Sequence, residues 1–210
     1  MKKHLLLMAS AGLFAVVALC SCDKGGEDDG GGTGGLMVDN KITVNVGNSY
    51  NGEIDAVKAM IYHGENAQEI AAAAFGNGEF TLNFPATVSD AYLSLVWTGA
   101  IPAGITLSNP NAKIADVPIY AYKSGNRVGT FYHGTSDWEG MLMYVNADCS
   151  ITGSYIAEDG VTTYTYSNLH LKQGWNYAYK TKKDGVVTYT SQVPAGAQWH
   201  YLQYPAQLEP

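Results

Sequence analysis

The sequence predicts an all-β fold: an antiparallel β-sandwich or barrel-like body, in one unit or in two small β domains, behind a signal peptide and a disordered tether. Three observations carry that prediction. Apolar and polar residues alternate with the period of a half-buried strand in segment after segment. Asn-Gly and Asp-Gly turns fall between those segments, the strongest short-range hairpin signal. Tyrosine, a good strand former, occurs fifteen times.

The first residues read as an address. Lys2 and Lys3 precede the apolar run Leu5 to Leu19. That run is too short for a hydrocarbon core of about 30 Å, which needs roughly 20 residues, so 1–21 reads as a secretory signal peptide. It ends on cysteine. A lipoprotein-processing peptidase wants a small residue before the cysteine and an aliphatic one three before it. Cys22 has Ser21 and Leu19 in those places, whereas Cys20 has bulky Leu19 directly before it. Cys22 is therefore the expected lipidation site, and its acyl chains the expected contact with a lipid bilayer. Several chains on one residue hold a membrane lastingly, where a single myristoyl-sized chain does not. Residues 22–35 are mostly glycine and acid, so they bury nothing and read as a flexible tether of roughly 20 Å.

From Leu36 onward the pattern is β. Lys41 to Val46, Val57 to Tyr62, Phe80 to Phe84, Tyr92 to Val96, Val128 to Tyr132, Val161 to Leu171, Trp175 to Thr181 and Val186 to Ser191 read as strands. Turns are expected at Asn77-Gly78, Ser124-Gly125, Glu158-Asp159-Gly160 and Asp184-Gly185, so the last third reads as a meander of antiparallel hairpins. Asn66 to Phe75 favours helix by propensity, but its place between two strands favours an alanine-rich strand. Pro102, Gly104 and Pro110 interrupt the middle. A division there would leave an N-terminal module at 36–108 and a C-terminal one at 109–210, with a continuous sandwich as the alternative.

The segment Cys22-Asp23-Lys24-Gly25-Gly26-Glu27-Asp28-Asp29 resembles the start of surface lipoproteins from Bacteroidota. The body resembles small lipoproteins of unknown function from the same phylum in Gly78 to Pro85, Tyr120 to Gly125 and Gly174-Trp175-Asn176. The resemblance implies an outer-membrane location with the body facing the cell exterior. It implies no activity.

Composition narrows the function. The net charge is −7, and losing Lys2 and Lys3 makes the mature chain more acidic still. That argues against nucleic acid as a partner. After processing, Cys149 is the remaining thiol, expected as a small buried hydrophobe rather than a nucleophile. His63, His133, His170 and His200 show no paired metal-ligand spacing, and no cofactor motif is present. The stretch His133 to Gly140 crowds histidine, serine and acids together. A polar hairpin loop with Trp138 folded over its base accounts for it, since catalytic triads assemble from distant segments.

Aromatic residues on strands remain. Strict alternation puts Tyr164, Tyr166, Asn168 and His170 on one face, with Leu169 and Leu171 on the other. Trp175, Tyr177 and Tyr179 share a face of the next strand, and Trp199 and Tyr201 share one of the last. Tyr164, Tyr166, His170, Trp175 and Trp138 are thus the candidate ligand surface. The expected function is a non-catalytic module that captures a glycan, a peptide or another nutrient, or docks an outer-membrane protein. A structural or adhesive fimbria-like subunit is the alternative.

Overall fold

A computed structural model describes residues 36–204 apart from 48, 49, 51 and 65. The signal peptide, Cys20, Cys22, the tether and the tail beyond Tyr204 lie outside the described residues. No α-helix occurs among those described, and the fold is all-β. In chain order the strands are β1 (Lys41–Asn45), β2 (Ala56–His63), β3 (Asn66–Ala74), β4 (Glu79–Asn83), β5 (Ser94–Leu95), β6 (Ile105–Leu107), β7 (Lys113–Asp116) and β8 (Ile119–Lys123). They continue as β9 (Asn126–Gly134), β10 (Glu139–Val145), β11 (Cys149–Ile156), β12 (Thr163–Leu171), β13 (Gly174–Lys183), β14 (Val186–Thr190) and β15 (Gln198–Gln203). The alanine-rich segment is strand β3, paired along β2, so its sheet neighbour overrides its helix propensity.

Strands β1 and β4 form a two-stranded ribbon. The rest belong to one sheet with the path β3-β2-β8-β9-β10-β13-β14-β12-β11-β6; β15 adds to β9, and β7 joins β10 and β5. The boundary between 108 and 109 does not interrupt this sheet. Strand β2 pairs β8, β5 pairs β7 and β6 pairs β11, each across that boundary.

The last third is not the expected meander. Strands β12 and β13 follow each other in sequence but do not pair; β14 lies between them, antiparallel to β13 and parallel to β12. The cause is a corner at Lys172–Gly174. Buried Asn176 accepts the Lys172 N–H at 2.9 Å and donates to the Lys172 and Gly174 carbonyls at 2.7 and 2.9 Å. Those bonds satisfy the turning backbone with a side chain instead of a hairpin ladder.

Alternation then gives β10 and β13 two buried faces. Leu142, Tyr144, Trp175, Tyr177 and Tyr179 join the first core with Ile42, Val44, Phe80 and Leu82 of the ribbon. Met143, Val145 and Ala178 join the second with Cys149, Ile151, Leu169 and Leu171. Cys149 is a buried free thiol, and burial pushes its pKa up, as suits a packing residue.

Candidate functional site

The expected tyrosine stripe is overturned by a β-bulge. Ile151 faces Leu169 and Gly153 faces Tyr166, so one residue on β11 opposes two, Ser167 and Asn168, on β12. Asn168 takes the left-handed conformation (φ 53°) that asparagine tolerates. One extra residue reverses the alternation, and Tyr164 and Tyr166 point the same way as Leu169 and Leu171. Tyr166 packs on the second core. The tyrosine rings use their faces on one another: Tyr155 stacks on Tyr164 and Tyr166 on Tyr189, both at 5.3 Å. Trp97 closes on them edge-first, 5.8 Å from Tyr155 and 6.0 Å from Tyr166.

His170 lies on the opposite face and is exposed. Its backbone is clamped by Ser191, whose hydroxyl accepts from the His170 N–H and donates to the His170 carbonyl, both at 2.8 Å. Trp175 is not a surface residue. It is 8% exposed, packs against Phe84 and Tyr144, and donates its indole N–H to the Pro85 carbonyl at 2.9 Å. Alternation grouped it correctly with Tyr177 and Tyr179, but both faces of β13 are buried, so neither could be a surface.

Trp138 has a different setting. It ends the hairpin turn between β9 and β10, where the Thr135 hydroxyl accepts from the N–H groups of Asp137 and Trp138 at 3.2 and 3.1 Å. The hairpin opens at once. Strands β9 and β10 pair at Gly134–Glu139. Beyond that point β8 takes β9 from Phe131 on, and β7 takes β10 from Met143 on. The gap left between them is a groove of about 640 Å³.

One wall of the groove is apolar and aromatic: Ile119, Phe131, Leu142, Trp138 and Trp199, with Tyr177 behind them. The other side is charged: Asp116, Asp137, Glu139, Lys180 and Lys182. Glu139 and Lys180 pair at 3.0 Å. They sit on the opposite face of their strands from Leu142 and Tyr177. The surrounding protein raises the Asp116 pKa, and Lys180 pulls it back.

Beside the groove, His133 is buried, with Nδ1 2.8 Å from the Tyr179 hydroxyl. Burial lowers the pKa of His133 and nearby His200 lowers it further, which favours a neutral ring. His200 Nε2 lies 3.2 Å from the Gly134 carbonyl and donates to it. The crowded loop is therefore a packed hairpin base, with its histidine committed to a tyrosine. Ser94 and His63 meet at 3.5 Å on the exposed surface, and neither lines the groove. Among the described residues, no three of His, Cys, Asp and Glu converge as metal ligands.

Of the five predicted residues, the groove thus contains Trp138. Sequence reasoning missed Trp199, Tyr177, Phe131 and the charged rim. The alternation of Trp199 with Tyr201 was a signal for the first; strand divergence, which makes the groove, leaves no local mark. Compared with protein-family models, curated proteins and solved structures, the chain matches none.

Proposed function

We propose that this chain is a lipid-anchored, outward-facing surface protein that captures a small neutral ligand, a sugar residue foremost, in the groove between β9 and β10, without catalysing its conversion. The observation that carries the reading is that two tryptophans, Trp138 and Trp199, line a groove of about 640 Å³. That volume falls within the ordinary range of small-ligand sites, and indole faces suit the apolar faces of sugar rings. Three acids (Asp116, Asp137 and Glu139) and two lysines (Lys180 and Lys182) at the mouth nearly balance, so little net charge is there to select a strongly charged ligand.

Trp138→Ala in the detergent-solubilised full chain is expected to weaken glycans selected on an array by ten-fold or more, about 1.4 kcal/mol. Titration calorimetry reads this, and unchanged affinity would overturn the site. The anchor is tested separately. Cys22→Ala is expected to abolish palmitate labelling and membrane retention, and label persisting in that variant would exclude Cys22 as the lipidated residue. The assembly reading draws on β3, a nine-residue strand at one end of the sheet path. Such an edge can accept a partner strand, and ordered polymers on size exclusion would favour it.

A further inference from the structure

The cores of this protein satisfy their buried polar side chains closely. Tyr179 is bonded to His133, Trp175 to Pro85, and Asn176 makes three bonds. Among the described residues, the hydroxyl of Tyr177 is the exception: it is buried to less than 1 Å² and has no hydrogen-bond partner. Tyr177 as a whole is 2% exposed, and it lines the groove. Buried polar groups are paired in the great majority of cases, so a single orphan beside a groove asks for a reason. It could have been removed at no cost in volume by phenylalanine.

We propose that the Tyr177 hydroxyl is the recognition group at the inner end of the groove, and that the bound molecule is a neutral ring that brings a hydroxyl against it. This rests on the groove being the ligand site and adds what the site reads. Access requires one movement. The Trp199 ring stands edge-on to Tyr177, with centroids 6.1 Å apart, and is itself partly exposed on β15, the strand that joins the sheet through β9. In this reading, turning that ring is the movement that uncovers the hydroxyl.

The chemistry selects against other ligand classes. A carboxylate or ammonium carried to the inner end would lose its hydration and receive one neutral hydroxyl in return, a poor exchange for a charge. A purely apolar ring would fill the space and leave the hydroxyl as unpaired as before. A hydroxylated ring satisfies both the aromatic wall and the orphan, with its remaining polar groups directed to the charged mouth. Burial also raises the Tyr177 pKa well above that of an ordinary phenol, so the group stays protonated and can both donate and accept.

The test uses phloroglucinol, a neutral, water-soluble ring with three hydroxyls, titrated into the detergent-solubilised full chain. Wild type, Tyr177→Phe and Trp138→Ala are compared, with the melting temperature of each ligand-free protein alongside. The expected result is binding to wild type, an affinity loss of about ten-fold in Tyr177→Phe, and a melting temperature for that variant equal to or above wild type. Most tyrosine-to-phenylalanine changes at a paired hydroxyl lower stability, so a rise marks a group kept for another purpose. A lower melting temperature would mean that the hydroxyl is paired within the folded protein, and the proposal fails. Failure of wild type to bind phloroglucinol up to its solubility limit also overturns it. Weakening by Trp138→Ala with none from Tyr177→Phe defeats the role of Tyr177 and leaves the groove reading standing. No weakening from Trp138→Ala defeats the groove itself.

Discussion

Trp175→Ala is expected to lower the unfolding free energy by about 3–5 kcal/mol, the range for truncating a large aromatic residue in a packed core. The residue is 8% exposed and sits where β13 meets the segment after β4: its ring centroid lies 4.8 Å from Phe84 and 5.2 Å from Tyr144. Alanine would open a cavity between them. It would also remove the donor that the indole supplies to the Pro85 carbonyl. Total stabilities run to about 5–15 kcal/mol, so the variant should be largely destabilised at ambient temperature. Urea denaturation monitored by far-ultraviolet circular dichroism measures it. Trp175→Phe largely separates the two contributions, since it keeps most of the volume while losing the donor, for about 1–2 kcal/mol from the lost hydrogen bond. A loss below 1 kcal/mol in Trp175→Ala would contradict the burial described here. The contrast with Trp138 matters: that ring is partly exposed on the groove wall, and its removal should act on ligand affinity far more than on folding.

Local chemistry made much of the fold legible. Asn77-Gly78, Ser124-Gly125 and Asp184-Gly185 each place two successive residues at positive φ, the geometry that two-residue hairpins require. Strands β8–β9 and β13–β14 pair across the last two as expected, whereas Asn77-Gly78 closes only the Gly76–Glu79 bridge and its flanking strands β3 and β4 belong to different sheets. The loop at Asp159 could be read equally well. Its carboxylate accepts from the Val161 and Thr162 N–H groups and the Thr162 hydroxyl, which pulls its pKa down to about 2. What escaped reading was long-range. Tyr164 and Leu169 share a face only because Ser167 and Asn168 together oppose one residue of β11, and nothing in the local pattern announces that bulge. A one-residue slip reverses every inference about which side chains are exposed. Trp175 was misplaced for a related reason: alternation identifies partners on a face, but a central strand with two buried faces offers no solvent side to choose. The groove arises from β7 and β8 drawing β9 and β10 apart, a consequence of topology rather than of any one segment.

Gly153→Ala is expected to cost about 3 kcal/mol or more, because two penalties fall on one atom. Gly153 has φ +107°, outside what side-chain-bearing residues adopt without strain, and such strain costs of order 1–3 kcal/mol. A Cβ there would also collide with the Gly104 carbonyl oxygen and stand 3.0 Å from its carbon. Backbone cannot swing aside as a side chain can. Gly104 is in the same position from the other strand: at φ +93°, its Cβ would lie 2.5 Å from the Ser154 carbonyl oxygen. The two glycines let β6 and β11 approach, with Ile105 opposite Gly153 and the Ser154 N–H donating to the Gly104 carbonyl at 3.2 Å. They do so beside the bulge, where Gly153 faces Tyr166 of β12. Alanine should therefore push β6 outward and disturb the Trp97 and tyrosine stacking above it, seen as altered near-ultraviolet circular dichroism together with a shift of several degrees in melting temperature. Gly160→Ala is the control. Its φ is +68°, but nothing lies within 4 Å of a Cβ there, so strain acts alone and the cost should stay near 1 kcal/mol. Equal losses in the two variants would show that left-handed backbone strain accounts for both, and that the contact between β6 and β11 tolerates a methyl group.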